Sequence, residues 1–478
     1  VFNNTANTDA ALVGTFKAYY ALIEGTCPSI TFSIWGNEMT SASVTYLDYS
    51  SEPRIPINNL DALNCATRYA YYNAYEAIAG AREAYQGIVA NNLKFGLINA
   101  TYPNGQDTPS RVAFAKFIIA IGQLNLGLQF DQAFITDITT PQGSTGGVYK
   151  PYKEVVANAV TQLRTLVSEM RAGPDFTLPI LFVNEQTITR DDLVRICISY
   201  ITRAEVYAPR TVADRNAVNW AAVLARLDSG ITKDFSYKAD IALSGTGAAY
   251  ITNSFAQNTW RISNRLVGPS DTSGKYQAWL ATPVENRTAF ILTTPDRRIQ
   301  GATNTTNGKW FSRLTTSLAS VTLAPYNNGF YRSIRLLNAS ADSGSRALNP
   351  LMTVAEMKFI RAEALNRLGR GTEAAALINP TRVANNLQPV TASGPPAGRD
   401  CVPRKDDGTC GDLFDAIQYE KRIELFPQTG EISWYDARGW GKLVKGTPFQ
   451  LPVSGRELQT LGYAYYTFGG VGQIGGAP

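Results

Sequence analysis

Apolar residues recur at spacings of three and four through the first half of the chain. Over 9–24, Leu12, Phe16, Tyr19, Tyr20 and Ile23 fall on one face, the period of an amphipathic helix. The same spacing predicts helices over 59–92, 110–130, 152–170, 189–207 and 214–227. The stretch SRVAFAKFIIAIGQLNLGLQF (110–130) is apolar nearly all round, so it should be a central, buried helix. The connections (TYPNGQDTP, TTPQGSTGG, RAGPDFTLP) carry Pro, Gly, Asn and Thr. Antiparallel helices in series predict a mainly α fold, a degenerate tetratricopeptide-like solenoid of helical pairs. No strict repeat period is present.

From about 231 to 350 the helical period disappears, while Trp260, Trp279, Trp310, Tyr326, Phe330 and Tyr331 are scattered among Gly, Ser, Thr and Asn. An irregular stretch of this length is usually functional or disordered, and its aromatic content argues against disorder. Helices return over 353–368 and 371–385, where Thr353 and Glu356 have capping-box spacing. Asp412 then suits the N-cap of a helix whose stripe is Ala416, Tyr419, Ile423 and Phe426. The expected organisation is one integrated unit. A helical scaffold covers 1–230, an irregular ligand-binding segment packs on it over 231–350, and a returning helical region covers 351–478.

Composition narrows the classes. At 44% hydrophobic the chain can bury a sizeable core. No run approaches the roughly 18 apolar residues of a membrane span. Charged residues are 17% and the net charge is +5 with no basic block, which argues against nucleic acid. The absence of His excludes Ser-His-Asp and Cys-His nucleophiles and His-held metals. No metal or cofactor site is expected. Cys401 and Cys410 bracket a Pro/Asp/Gly loop, whose closure would contribute about 2.5–3 kcal/mol in the chain-entropy model. Cys27 and Cys65 form a second candidate pair, and Cys197 reads as a buried thiol. Disulfides imply an oxidising compartment. The chain begins at Val1 and is read as a processed or truncated product.

The densest chemistry lies in LFDAIQYEKRIELFPQTGEISWYDARGWGKL (413–443). Glu420 and Glu424 are a like-charge i, i+4 pair that wants a cation, for which Arg438 or Arg361 offers a planar fork. Asp436 joins this structural ion-pair set. A glycosidase would place its two carboxylates on either side of the scissile bond, whereas these lie side by side on one helix. The pair is therefore read as structural. Gly470, Gly472 and Gly475 match GxGxxG, but no helix can follow them, so the match is read as accidental. Loop aromatics offer flat faces for sugar C–H groups. The ligand-contact candidates are Trp260, Trp279, Trp310, Tyr326 and Tyr331, with Trp35, Tyr46 and Tyr49 from an N-terminal loop.

Three segments carry a family likeness. MTVAEMKFIRAEALNRLG (352–369), YEKRIELFPQTGEISWYDARGWG (419–441) and GTPFQLPVSGREL (446–458) resemble the signature regions of the SusD/RagB family of surface nutrient-binding lipoproteins. Ser433 stands where that family often has Arg, and its lipid-modified N-terminal Cys has no counterpart here. The resemblance implies non-catalytic capture of an oligosaccharide or peptide at the outer-membrane cell surface, acting over a SusC-like TonB-dependent transporter. A secreted location is the alternative. The low charge and the Gly-rich tail leave open a self-associating surface or filament protein on the same fold. A glycoside hydrolase is the third class.

Overall fold

The computed structural model describes residues 3–41, 47–57, 65–141, 147–239, 260–317, 329–336, 348–398 and 400–478. The first half is a row of long helices: α1 (Thr5–Glu24), α2 (Thr26–Trp35), α3 (Cys65–Ala90), α4 (Thr108–Gln129), α5 (Tyr152–Ala172), α6 (Arg190–Tyr207) and α7 (Trp220–Leu227). Apart from α2, each long helix packs on the next in the series. This is a solenoid of helical pairs. The helix expected over 214–227 breaks into Val212–Asn216 and α7, because the Asn219 side chain accepts from Ala222 N–H at 3.1 Å and starts a new helix.

Helix α4 is buried along almost its whole length. By length and composition it could cross a membrane, contrary to the expectation that no run approaches that size, but 89% of its most apolar window is buried in the protein. Gly122 and Gly127 let it approach both neighbours, since a Cβ at either would meet Ile78 of α3 or Val156 of α5 at 2.7 Å. Its buried Gln123 is satisfied, donating to Phe134 O at 3.0 Å and accepting from Thr136 N–H at 2.8 Å.

The rest of the chain adds α8 (Lys275–Ala281), α9 (Val354–Arg367), α10 (Gly371–Ala384), α11 (Leu413–Leu425), α12 (Gly430–Trp440) and α13 (Gly455–Leu461). Asp412 and Asp415 close a capping box on α11. At α9 only half of the expected box forms. Thr353 accepts from Glu356 N–H at 3.0 Å, but the Glu356 carboxylate turns inward to Arg203.

Strands are short and pair in twos: β1 (Met39–Ser41) with β5 (Trp260–Ile262), β2 (Gln132–Ala133) with β3 (Lys150–Pro151), β4 (Phe235–Lys238) with β8 (Leu348–Met352), and β6 (Phe311–Arg313) with β7 (Tyr331–Ser333). All four pairs are antiparallel. The main core follows the helices. A second hydrophobic cluster joins the 260–331 stretch to α2 and α11, through residues such as Ile34, Trp260, Phe311, Tyr331, Tyr419 and Ile423.

Candidate functional site

The charged stretch resolves into buried ion clusters. In the first, Arg298 forks onto Asp296 at 2.9 and 2.7 Å and reaches Glu420 at 2.6 Å and Glu424 at 2.8 Å. Arg382 takes the other Glu420 oxygen at 2.8 Å. In the second, Arg215 grips Glu363 at 3.0 and 2.7 Å and Asp436 at 3.1 Å, while Lys421 holds Asp436 at 2.6 Å. In the third, Arg203 forks onto Glu356 at 2.8 and 2.5 Å, and Tyr207 donates to the same carboxylate at 2.9 Å. Burial alone would raise the Glu363 carboxyl, but Arg215, Lys421 and Arg367 outweigh it and hold the group at about 2.

These contacts correct the expected partners. Neither Arg438 nor Arg361 meets Glu420 or Glu424. Arg438 projects toward the C-terminal ends of α4 and α6, donating to Leu128 O at 2.9 Å and Tyr207 O at 2.7 Å, and also to Phe449 O at 2.8 Å. It satisfies carbonyls that helix ends leave unpaired. Burial pulls its guanidinium down to about 10. Arg361 lies at the surface, 2.7 Å from Asp228. Both Glu420 oxygens are occupied and the side chain is fully buried, so the Glu420/Glu424 pair has no face for a substrate.

Cys401 and Cys410 are joined by a disulfide, and Cys197 is a buried free thiol. Cys27 is disulfide-bonded, and the side chain of Cys65 lies outside the described residues. Gly470, Gly472 and Gly475 sit in turns with positive φ, not between a strand and a helix. Among the described residues no group of three or more His, Cys, Asp or Glu is placed to hold a metal.

The aromatic candidates need a larger correction. Trp35, Trp260, Trp279 and Tyr331 are buried. Trp260 and Tyr331 lie on paired strands in the second cluster, and Trp279 is covered by Arg287, 4.4 Å from its centroid. Trp310 and Tyr49 are half-buried. Arg335 sits 4.2 Å over the Trp310 ring, and Tyr49 meets Trp35 edge-on at 5.6 Å. Tyr46 and Tyr326 lie outside the described residues.

A different set of rings is open. Tyr463 and Tyr465 follow α13 and are 48% and 41% exposed. Gly462, at φ 71°, closes the helix in the left-handed conformation and turns the chain out. Tyr463 lies 5.6 Å from half-buried Tyr149, which stacks at 4.0 Å on Phe134. Tyr466 anchors the strip, donating to Asp131 at 2.9 Å and accepting from Val453 N–H at 3.0 Å. Glu457 of α13 acts electrostatically on Tyr71, Tyr72, Tyr75 and Tyr149. Burial raises its carboxyl, and it has no hydrogen bond or ion pair among the described residues. Tyr69, exposed on α3, precedes Tyr72 by one helical turn. The sequence signal for this platform is GYAYYTF (462–468), three Tyr within four residues and outside any helical stripe.

The sequence model of the SusD family matches residues 220–472. The chain belongs to the SusD family. Solved structures of the family share the architecture of this SusD-family protein. A SusD superfamily protein from Bacteroides thetaiotaomicron is 13% identical with a TM-score of 0.60, over 96% of this chain and 97% of that one. One from Bacteroides fragilis is 14% identical with a TM-score of 0.57, over 96% and 98%. The surface glycan-binding protein A from Bacteroides uniformis is 11% identical with a TM-score of 0.58, over 95% and 97%. At such identities the likeness is one of fold. No curated protein matches this chain in sequence. The match includes α9, α11 and α12, so the buried ion clusters lie largely inside the family region.

Proposed function

We propose that this SusD-family chain captures oligosaccharide at the outer-membrane surface and presents it to a SusC-like TonB-dependent transporter, with no chemistry of its own. The observation that carries the reading is the tyrosine platform. Exposed rings offer flat apolar faces, and an unpaired, half-buried carboxylate beside them accepts hydrogen bonds from sugar hydroxyls. An extended peptide is better served by an open sheet edge or by pockets for alternate side chains. The Bacteroides uniformis protein of the same fold is a surface glycan-binding protein, which supports the same reading.

A glycan array followed by titration with the best neutral hit tests it. Tyr463→Ala and Tyr149→Ala should each weaken binding about 5- to 100-fold, on the scale of aromatic stacking measured with bases. Glu457→Gln should weaken it less. Parent-like binding by all three variants would remove the platform from the proposal. Release of new reducing ends from the bound glycan would replace the binding reading with a hydrolase.

A further inference from the structure

A recess of about 120 Å³ opens where the end of α2, the 265–276 stretch, the Cys401–Cys410 loop and helices α11 and α12 meet. It shares no residue with the tyrosine platform. It is well below the several hundred Å³ of a drug-sized pocket, so it suits one residue of a longer ligand.

Its walls are fixed. The disulfide closes the loop, Arg404 N–H donates to Pro269 O at 2.7 Å, and the Gln277 amide donates to Lys405 O at 3.2 Å. Arg422 ties the remaining walls together, donating to Arg265 O at 3.1 Å, Gly36 O at 3.1 Å and Asn37 O at 2.9 Å. Two polar groups line the recess without a protein partner. Gln418 is 7% exposed and its amide makes no hydrogen bond among the described residues. The Tyr276 hydroxyl, on a side chain 2% exposed, makes none either. Neither group is among the side-chain atoms sealed from solvent without a partner, so both open into the recess, where a sugar hydroxyl can pair with them.

Arg265, Arg404, Lys405, Arg422 and Lys442 line the recess together with the carboxylates Asp406 and Asp415, so its charge is net positive. Lys405 and Lys442 share Asp415 at 3.5 and 3.8 Å, with Lys405 also 3.8 Å from Asp412. Arg422 gives its hydrogen bonds to neutral carbonyls, and burial pulls its guanidinium below the usual range although Glu38 and Asp436 act against that shift. Arg265 is already neutralised by Glu52 at 3.0 Å.

We propose that this recess binds a carboxylate-bearing sugar residue, a hexuronate, with Lys405, Arg422 and Lys442 facing the carboxylate and Gln418 and Tyr276 pairing with its hydroxyls. The proposal rests on the oligosaccharide reading above and narrows the ligand at this second site to acidic glycans.

Calorimetric titration of the full chain with trigalacturonate, galactotriose and acetate tests it. Trigalacturonate should bind at least tenfold more tightly than galactotriose, and the preference should shrink as salt rises. Gln418→Leu and Lys442→Ala should each weaken trigalacturonate binding about 5- to 30-fold while neutral glycans on the platform bind as before. Lys442 is exposed, so its variant keeps the test valid if Gln418→Leu fails to fold. Equal binding of the two trisaccharides, acetate binding as tightly as trigalacturonate, or parent-like binding by both variants would overturn the proposal. Neutral glycans binding without any acid preference sink the recess alone. An acid preference without neutral binding sinks the platform alone.

Discussion

Two stretches of the chain carry aromatic residues outside any helical stripe, yet they fold to opposite environments. In 260–331, Trp260, Trp279 and Tyr331 are buried. In 463–465, Tyr463 and Tyr465 stand open to solvent. The difference lies in the neighbours. The first stretch brings its own covers, with Arg287 over Trp279 and Arg335 over Trp310, and its short strands turn rings into a local core. The tail is anchored after these rings, by Tyr466 and buried Phe468, and among the described residues no cation covers Tyr463 or Tyr465. An aperiodic aromatic segment is therefore no guide to exposure. What counts is whether cations and strand partners lie close by in space.

The largest expected effect comes from the buried charges that frame both regions. Arg215→Ala leaves Glu363 to Arg367 and Asp436 to Lys421 alone and should cost about 3–5 kcal/mol, read by chemical denaturation. Arg361→Ala removes a surface pair with Asp228 and should cost about 0–1 kcal/mol. Equal losses would show that the clusters do not hold the fold.

The aromatic contrast gives the next pair. Trp279→Ala should cost about 3–5 kcal/mol, as large-to-small core changes do, and should lower the melting temperature with or without glycan. Tyr463→Ala should leave the melting temperature within about a degree of the parent, since surface changes usually fall within about 0.5 kcal/mol. Its loss should appear only in glycan binding. A stable Trp279 variant with a binding defect would reverse the assignment of the two regions.

The smallest effect is one of pH. Burial pushes the Glu431 carboxyl up to about 7, from an ordinary 4.5. The folded state then holds a proton that the unfolded chain has released, so this contribution is fully present below about pH 4.5 and is lost as pH rises through about 7. Glu363, held at about 2, behaves oppositely. Its contribution is present above about pH 4.5 and is lost as pH falls toward 2. Glu431→Gln should flatten the decline between pH 4.5 and 7 by roughly 1–3 kcal/mol, measured as stability against pH. An unchanged profile would mean that Glu431 titrates normally.

The helices were legible because their period is local. Leu12, Phe16, Tyr19 and Ile23 are buried on one face of α1, and the nearly continuous apolar stretch became buried α4. Glu420 and Glu424 were legible as acids in need of a cation, but not their partner. Arg298 lies 122 residues from Glu420 in a stretch without a period, and nothing local links the two. The same limit explains α9, where the capping spacing was correct but Glu356 had a stronger use in Arg203, 153 residues away. Strands of three residues, such as β5 and β7, are too short to show alternation, so the burial of Trp260 and Tyr331 left no pattern.

The antiparallel pairing of β4 with β8 sets Phe235 opposite Met352 and Lys238 opposite Leu348. The chain therefore leaves the solenoid and re-enters it at one doorway. Closing an excursion of this kind depends only weakly on its length, by about 0.6 kcal/mol per doubling, so the excursion can be treated as an exchangeable cassette. The exchange must keep the β1–β5 pair and the second cluster, and it carries one electrostatic condition. Arg298 travels with the cassette, while Glu420 and Glu424 stay behind on α11. Any graft between homologues must bring an arginine to that spot, or the recipient scaffold inherits Glu424 without its cation and Glu420 with Arg382 alone.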